Sequence, residues 1–259
     1  MLCTFNCYTV LIPAYNEAEN IAPLLFEIQE VMELVKEPWE VIVVDDASTD
    51  GTWQQLEFTQ ERIPNLRAFR HTKQSGQSNA LETGIQYAKG EIIITLDGDG
   101  QNDPHDIPKL LEKMEGVDCV SGCRIARKDT WLKRTYSKFA NSIRRAFLHD
   151  GITDTGCSLK AFRKQALRQL KFYKGMHRFL PALLQIEGYK VIEVPVSHRP
   201  RLHGTSKYNI FNRGINTLAD LFAVWWMKQR RILTQVESQL EPDQTSVESQ
   251  ENHGLENNP

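Results

Sequence analysis

No run in this chain approaches the roughly 20 consecutive apolar residues that a helix needs to cross a bilayer. Residues 1–9 lack the basic start and long apolar stretch of a secretory leader. The five cysteines (Cys3, Cys7, Cys119, Cys123 and Cys157) form no CxxC pair, and no second pair or histidine cluster joins Cys3 and Cys7. A zinc site is therefore not indicated, and reduced thiols in a cytosolic protein are the simpler expectation. No internal repeat is present. Charge of one sign is lacking overall, with a formal net charge of -2, but its distribution is uneven. Six acids and no Lys or Arg follow Val236, so the chain ahead of that tail is basic by about four charges. The tail is polar and poor in aromatics, the composition of a segment that buries no core.

What is present is concentrated in Ile92–Pro104, IIITLDGDGQNDP. Ile92, Ile93, Ile94 and Leu96 read as a strand buried on both faces, and such strands end at the rim where open α/β sheets bind ligands. Asp97 and Asp99 project from that end, with Gly98 and Gly100 expected to let the backbone turn. Two carboxylates there suit a hard divalent cation. A DGD alone would equally mark a turn between strands; its matching upstream partners favour the ligand reading.

Those partners are two more strand ends. Tyr8–Pro13 stops at Ala14-Tyr15-Asn16-Glu17, and a helical pattern from about Glu17 to Val35 carries Ile21, Leu24, Leu25, Ile28, Val31 and Met32 on one face. Residues 40–44 form a second strand, ending at Asp45-Asp46, with Ser48 or Asp50 placed to cap the next helix. A third strand is expected at 66–70, then a helix over 76–89 with Gly90 at its C-terminal cap. The alternation predicts a mainly parallel sheet flanked by helices. Glu17, Asp45, Asp46, Asp97 and Asp99 then converge on one cleft. A nucleotidyltransferase also uses paired aspartates, but no Gly-rich phosphate-gripping loop follows the first strand.

LIPAYNEAENI, VVDDASTDGT and ITLDGDGQNDP together resemble the inverting family 2 glycosyltransferases, whose α/β fold is of the GT-A, Rossmann-like type. SGCR (121–124), DTGCSLKAFRK (154–164) and RPRLHGTSKY (199–208) resemble the branch of dolichyl-phosphate mannosyltransferase and bacterial polyprenyl-phosphate glycosyltransferases. The likeness covers roughly residues 8–231. It implies that Pro13, Ala14, Tyr15, Glu17 and Gly98 line the nucleotide-sugar, and that Asp45 or Asp46 accepts from base or ribose. It also implies that Asp97 lies near ribose and metal, and that Asp99, joined by Gln101, holds Mg²⁺ or Mn²⁺. The QxxRW motif of polymerising relatives is absent, as is the Glu-Asp pair that houses a base. Asp154 stands where a base might be expected, as a base or as a structural hydrogen-bond acceptor. A phosphate acceptor needs no strong base, because its second pKa is near 6; it needs positive charge to hold it.

Residues 124–145 hold Arg124, Arg127, Lys128, Lys133, Arg134, Lys138, Arg144 and Arg145, opposed by Asp129 alone. Stacking aromatics are sparse and no nucleic-acid reader motif is present. Lipid phosphate is the expected ligand, held by Arg124 and Arg201 with Arg134, Ser137 and Lys207. The expected reaction is transfer of one sugar from a UDP- or GDP-linked donor to a polyprenyl phosphate. Transfer to a hydroxyl, or a binding protein that kept the fold, are the alternatives. Phe211, Ile215, Leu218, Phe222 and Trp225 draw an amphipathic helix that Trp226, Met227 and a basic end extend, fit either for core packing or for the headgroup region. The expected divisions are a catalytic domain over 1–204, this helix over 205–233 and an acidic tail over 234–259. The expected location is the cytoplasmic membrane face, reached peripherally.

Overall fold

The computed structural model describes residues 7–124, 147–148, 150–201 and 210–232, with backbone alone for 210–217. Seven strands form one sheet: β1 (Tyr8–Ala14), β2 (Trp39–Asp45), β3 (Leu66–Arg70), β4 (Ile92–Thr95), β5 (Cys119–Arg124), β6 (Lys160–Arg163) and β7 (Val191–Val196). Their order is β3-β2-β1-β4-β6-β5-β7. β6 runs antiparallel to both its neighbours, β4 and β5, and every other pairing is parallel. The GT-A expectation of a mainly parallel sheet is met. β5, β6 and β7 were not legible as strands, because their short mixed sequences carry no clean period.

Alternate residues of the central strands face opposite layers. Val10, Ile12, Val41, Val43, Ile92 and Ile94 join one core with helix α1 (Ile21–Val35), and Leu11, Ile42, Val44 and Ile93 join the other with helix α3 (Gln77–Tyr87). α1 buries all six residues of the stripe expected for it. It begins at Ile21 rather than near Glu17, because Asn16 takes a left-handed φ of 54° and residues 17–20 form a turn, with Asn20 N and Ile21 N both donating to Glu17 O.

Three local expectations are corrected. Ser48 does not cap helix α2 (Thr52–Gln60); its Oγ accepts from Asn16 N at 2.9 Å, and Asp50 Oδ1 is the one that accepts from Thr52 N. Gly90 is not a left-handed cap. It is glycine because a Cβ there would lie 2.5 Å from Thr9 N, where the chain crosses β1. Of the two rim glycines only Gly100, at φ 70°, needs the left-handed region; Gly98 does not.

The C-terminal helix spans Ile210–Arg230. Leu221 and Val224 are buried in the second core and Trp225 packs against it, while Leu218, Phe222 and Trp226 stand outward at 51–59% exposure. The helix thus presents an apolar face on each side. The side chains of Phe211 and Ile215 lie outside the described residues. No helix among the described residues is long and apolar enough to cross a membrane.

Candidate active site

The strand directions decide which residues meet. β1, β2 and β4 deliver their C-terminal ends to one rim, as do β5 and β7. β6 runs the other way, so its first residue, Lys160, pairs with Thr95 at that same rim. The rim therefore collects Ala14, Asp45, Asp97, Arg124, Lys160 and the chain that leads on from Val196 to Arg201.

On the β1–β2 side the loops are laced together. Asn16 N donates to Ser48 Oγ, Glu17 N to Thr52 Oγ1 at 2.8 Å, and Thr49 N to Asn16 Oδ1 at 2.8 Å. Asp45, wholly buried, accepts from Ser48 N and lies 3.2 Å from Arg70 Nε. Asp46 accepts from Ser75 N and Gly76 N and meets His71 Nδ1 at 2.7 Å. Both carboxylates are thus turned toward the protein's own loops, and neither lines the cavities described here.

Asp97 and Asp99 do sit at the cleft. Asp97 Oδ1 accepts from Gln77 Nε2 at 2.7 Å. Burial, and then the neighbouring Asp99 carboxylate, push its pKa up to about 6. Asp99 accepts from Gln101 N with one oxygen and from Arg201 with the other. Two neighbouring carboxylates, Asp97 on the cavity wall and Asp99 beside it in contact with Arg201, are a donor set that a hard divalent ion fits. No cluster of three or more His, Cys, Asp or Glu occurs among the described residues, so such an ion would keep several other ligands.

Arg124 closes a fork onto Asp154: Nε to Oδ2 at 2.7 Å and Nη2 to Oδ1 at 2.8 Å. Asp154 also accepts from Arg124 N and Gly156 N, which engages both of its oxygens. Arg134, Ser137 and Lys207, with the rest of the basic run from 125 on, lie outside the described residues.

Two cavities open on this rim. One, about 600 Å³ with its open mouth, is lined by Asn16, Glu17, Asp50 and Arg201. The other, about 520 Å³ on the same measure, lies over the β4–β6 seam, with Pro13 and Asp97 joined by Gln77, Lys160, His177 and Arg178. The last four were missed. A lysine between Leu159 and Ala161 in an apolar stretch was the one available signal; nothing local marks His177 or Arg178.

The glycosyl transferase family 2 profile matches residues 9–171, and the chain belongs to that family. Dodecaprenyl-phosphate galacturonate synthase of Rhizobium johnstonii is 35% identical over 83% of this chain and 65% of its own. Undecaprenyl-phosphate 4-deoxy-4-formamido-L-arabinose transferase of an Enterobacter species is 34% identical over 82% and 65%. The chain spans just under two thirds of the length of these relatives. Among solved structures, a mannosyltransferase of Pyrobaculum calidifontis in complex with GDP-mannose and Mn²⁺ matches with TM-score 0.63, 25% identity, and 88% and 65% of the two chains. Glucosyl-3-phosphoglycerate synthase of Mycobacterium tuberculosis matches with TM-score 0.66 at 18% identity, over 86% and 80%. The fold is that of the GT-A glycosyltransferases.

Proposed function

We propose that this chain transfers one sugar, with inversion, from a nucleotide-sugar to a polyprenyl phosphate. The observation that carries the reading is the meeting, on one rim, of the Asp97–Asp99 pair with two guanidinium groups, Arg124 and Arg201. The acid pair suits a metal-bound diphosphate and the guanidiniums suit phosphate. The two curated relatives are polyprenyl-phosphate sugar transferases by name, which supports the same acceptor.

In this reading Asp99, with Asp97 and Gln101, holds Mg²⁺ or Mn²⁺, which supplies charge neutralisation for the departing diphosphate. The β1 and β2 loops, with Pro13, Ala14, Tyr15, Glu17 and Gly98, seat the nucleotide, while Asp45 and Asp46 keep those loops in shape. An acceptor phosphate oxygen attacks the anomeric carbon from the face opposite the diphosphate; the new C–O bond forms as the old one breaks, and nucleoside diphosphate leaves. The acceptor is already largely ionised at neutral pH, so no strong base is required. Asp154 then serves to aim Arg124, whose charge, with that of Arg201, positions the phosphate. Arg134, Ser137 and Lys207 remain proposed contributors.

The outward face of Leu218, Phe222 and Trp226, ahead of Lys228, Arg230 and Arg231 in sequence, suits the headgroup layer of an anionic membrane. The proposed location is peripheral, on the cytoplasmic face. The division into a catalytic domain, this helix and an acidic tail belongs to the same proposal.

The test is a screen of UDP- and GDP-sugars against undecaprenyl and dolichyl phosphates, with and without Mn²⁺, reading lipid products by mass spectrometry. A metal-dependent lipid-phosphate sugar is expected. Efficient transfer to the corresponding free alcohol, or activity that survives full chelation, would overturn the reading.

A further inference from the structure

Lys160 is the anomaly of the cleft. It opens β6 at 3% exposure and lines the cavity over the β4–β6 seam. An ammonium carries three donors. Among the described residues this one makes a single hydrogen bond, to the Cys157 carbonyl, and no ion pair. Asp97 is near enough to act on this charge, but no carboxylate among the described residues bonds to it directly, so a ligand that fills the unused donors would stabilise it. The two acids near it have other partners: Gln77 donates to Asp97, and Asp154 takes the fork of Arg124.

The rest of the cavity tilts the same way. Arg178 and His177 stand on its wall with Thr155 and Ser158, against Asp97 as the lining acid. His177 is fixed by Ser78, with Nδ1 2.9 Å from Oγ. The cavity, about 520 Å³ when its open mouth is counted, is continuous with solvent. It adjoins Asp97, where the donor's diphosphate end is proposed to lie. An acceptor phosphate reaching Lys160 would have to bring its prenyl chain into the same space, whereas a substituent on a sugar ring would not.

We propose that this cavity receives the transferred sugar, and that Lys160, with Arg178, selects a sugar bearing a carboxylate: the donor is a nucleotide-linked uronic acid. The inference deepens the proposed function and rests on it. The carboxylate gives the ammonium a directly bonded anion, where a hydroxyl of a neutral hexose offers only a weaker, uncharged acceptor.

Titration calorimetry of the full chain with Mn²⁺ tests this, comparing UDP-galacturonate with UDP-galactose, UDP-glucuronate with UDP-glucose, and GDP-mannuronate with GDP-mannose. In at least one pair the uronate should bind roughly tenfold or more tightly than its neutral counterpart, the scale of one charge-assisted hydrogen bond. Lys160→Met should bring that ratio close to one while leaving UDP or GDP affinity unchanged, and Lys160→Arg should keep the preference. If the Met variant fails to unfold cooperatively, Arg178→Gln, which should lower the same ratio in part, takes its place. Equal binding of uronates and neutral hexoses overturns the proposal, as does a preference that survives Lys160→Met. Loss of undecaprenyl-phosphate binding with the uronate ratio intact would assign Lys160 to the acceptor and also overturn it. Neutral nucleotide-sugars binding without a uronate preference would leave the wider transferase reading standing; binding of no nucleotide-sugar would overturn both.

Discussion

Around the ends of β1 and β2, backbone amides donate to short side chains on the neighbouring loop, as Asn16 N does to Ser48 and Glu17 N to Thr52. Around β5, β6 and β7 the ties are charge pairs between segments far apart in sequence: Arg124 with Asp154, 30 positions on, and Arg201 with Asp99, 102 positions away. The first kind of site is written in contiguous letters, since a strand end, a turn and a helix start supply all its groups. The second kind is assembled by the sheet order, above all by β6 running backwards. One half of the rim is therefore a motif, and the other is a product of topology.

The largest effect expected of this comparison lies where the halves touch. Asp99→Asn should lower the transfer rate by roughly 10²–10³-fold, the scale of removing one transition-state charge contact, with cooperative thermal unfolding preserved. Near-normal turnover in metal-replete buffer would remove Asp99 from the site.

Next, Arg124→Ala should raise the apparent KM for lipid phosphate by roughly tenfold or more and that for nucleotide-sugar little. Arg201→Ala, which also frees an Asp99 oxygen, should raise both. If Asp154 only aims Arg124, Asp154→Asn and Arg124→Ala should be strongly non-additive in a double-mutant cycle. Equal weakening of both substrates by Arg124→Ala would erase the division between the halves.

The paired tryptophans separate packing from membrane contact. Trp225, stacked against the core and 6.0 Å from the Phe147 ring, should cost about 2–3 kcal/mol when changed to Ser, read by denaturant unfolding. Trp226→Ser, on the outward face, should leave stability within ~0.5 kcal/mol and weaken binding to anionic vesicles. Unchanged vesicle binding would move the membrane contact elsewhere, with 127–145 the next place to look.

The smallest effect compares a buried acid, Glu40, with a half-buried one, Asp97, at opposite ends of the sheet. Glu40, beside Thr9, Lys89 and Arg67, is pushed up by burial but held below the usual carboxylate range by the hydrogen bonds it accepts. It stabilises the fold above its unfolded pKa, and that contribution is lost as pH falls. Asp97, raised to about 6, acts in the opposite sense. The folded chain binds its proton more tightly than the unfolded one does, so its contribution is full below pH ~4 and is lost as pH rises to ~6. Metal-free Asp97→Asn should therefore gain up to roughly 3 kcal/mol over the parent at pH 7, and far less at pH 4. An equal gain at both pH values would show that Asp97 is not destabilised by its charge.

The strand-end motifs and the α1 stripe were legible because each is a local pattern: a buried run that stops at polar letters, or apolar residues at helical spacing. Asp97 and Asp99 were legible for that reason. Lys160, His177 and Arg178 were not, because their meaning depends on which strand β6 lies beside. Asp45 and Asp46 show the converse. Their motif marks the rim correctly, yet their oxygens turn to Ser48, His71, Ser75 and Gly76, a direction that sequence spacing does not encode.

β5 and β6 are adjacent antiparallel strands, paired Cys119 to Phe162 and Ser121 to Lys160. Their connection, residues 125–159, is thus formally the loop of a hairpin, a link that two residues can make. Both of its ends leave and re-enter at the same rim, and chain-closure entropy grows by only about 0.6 kcal/mol for each doubling of length. The sheet places no ceiling on what is inserted there. The 125–159 connection can thus vary in length and content while the β1 and β2 loops stay as they are, so one sheet can carry different inserts at the same rim.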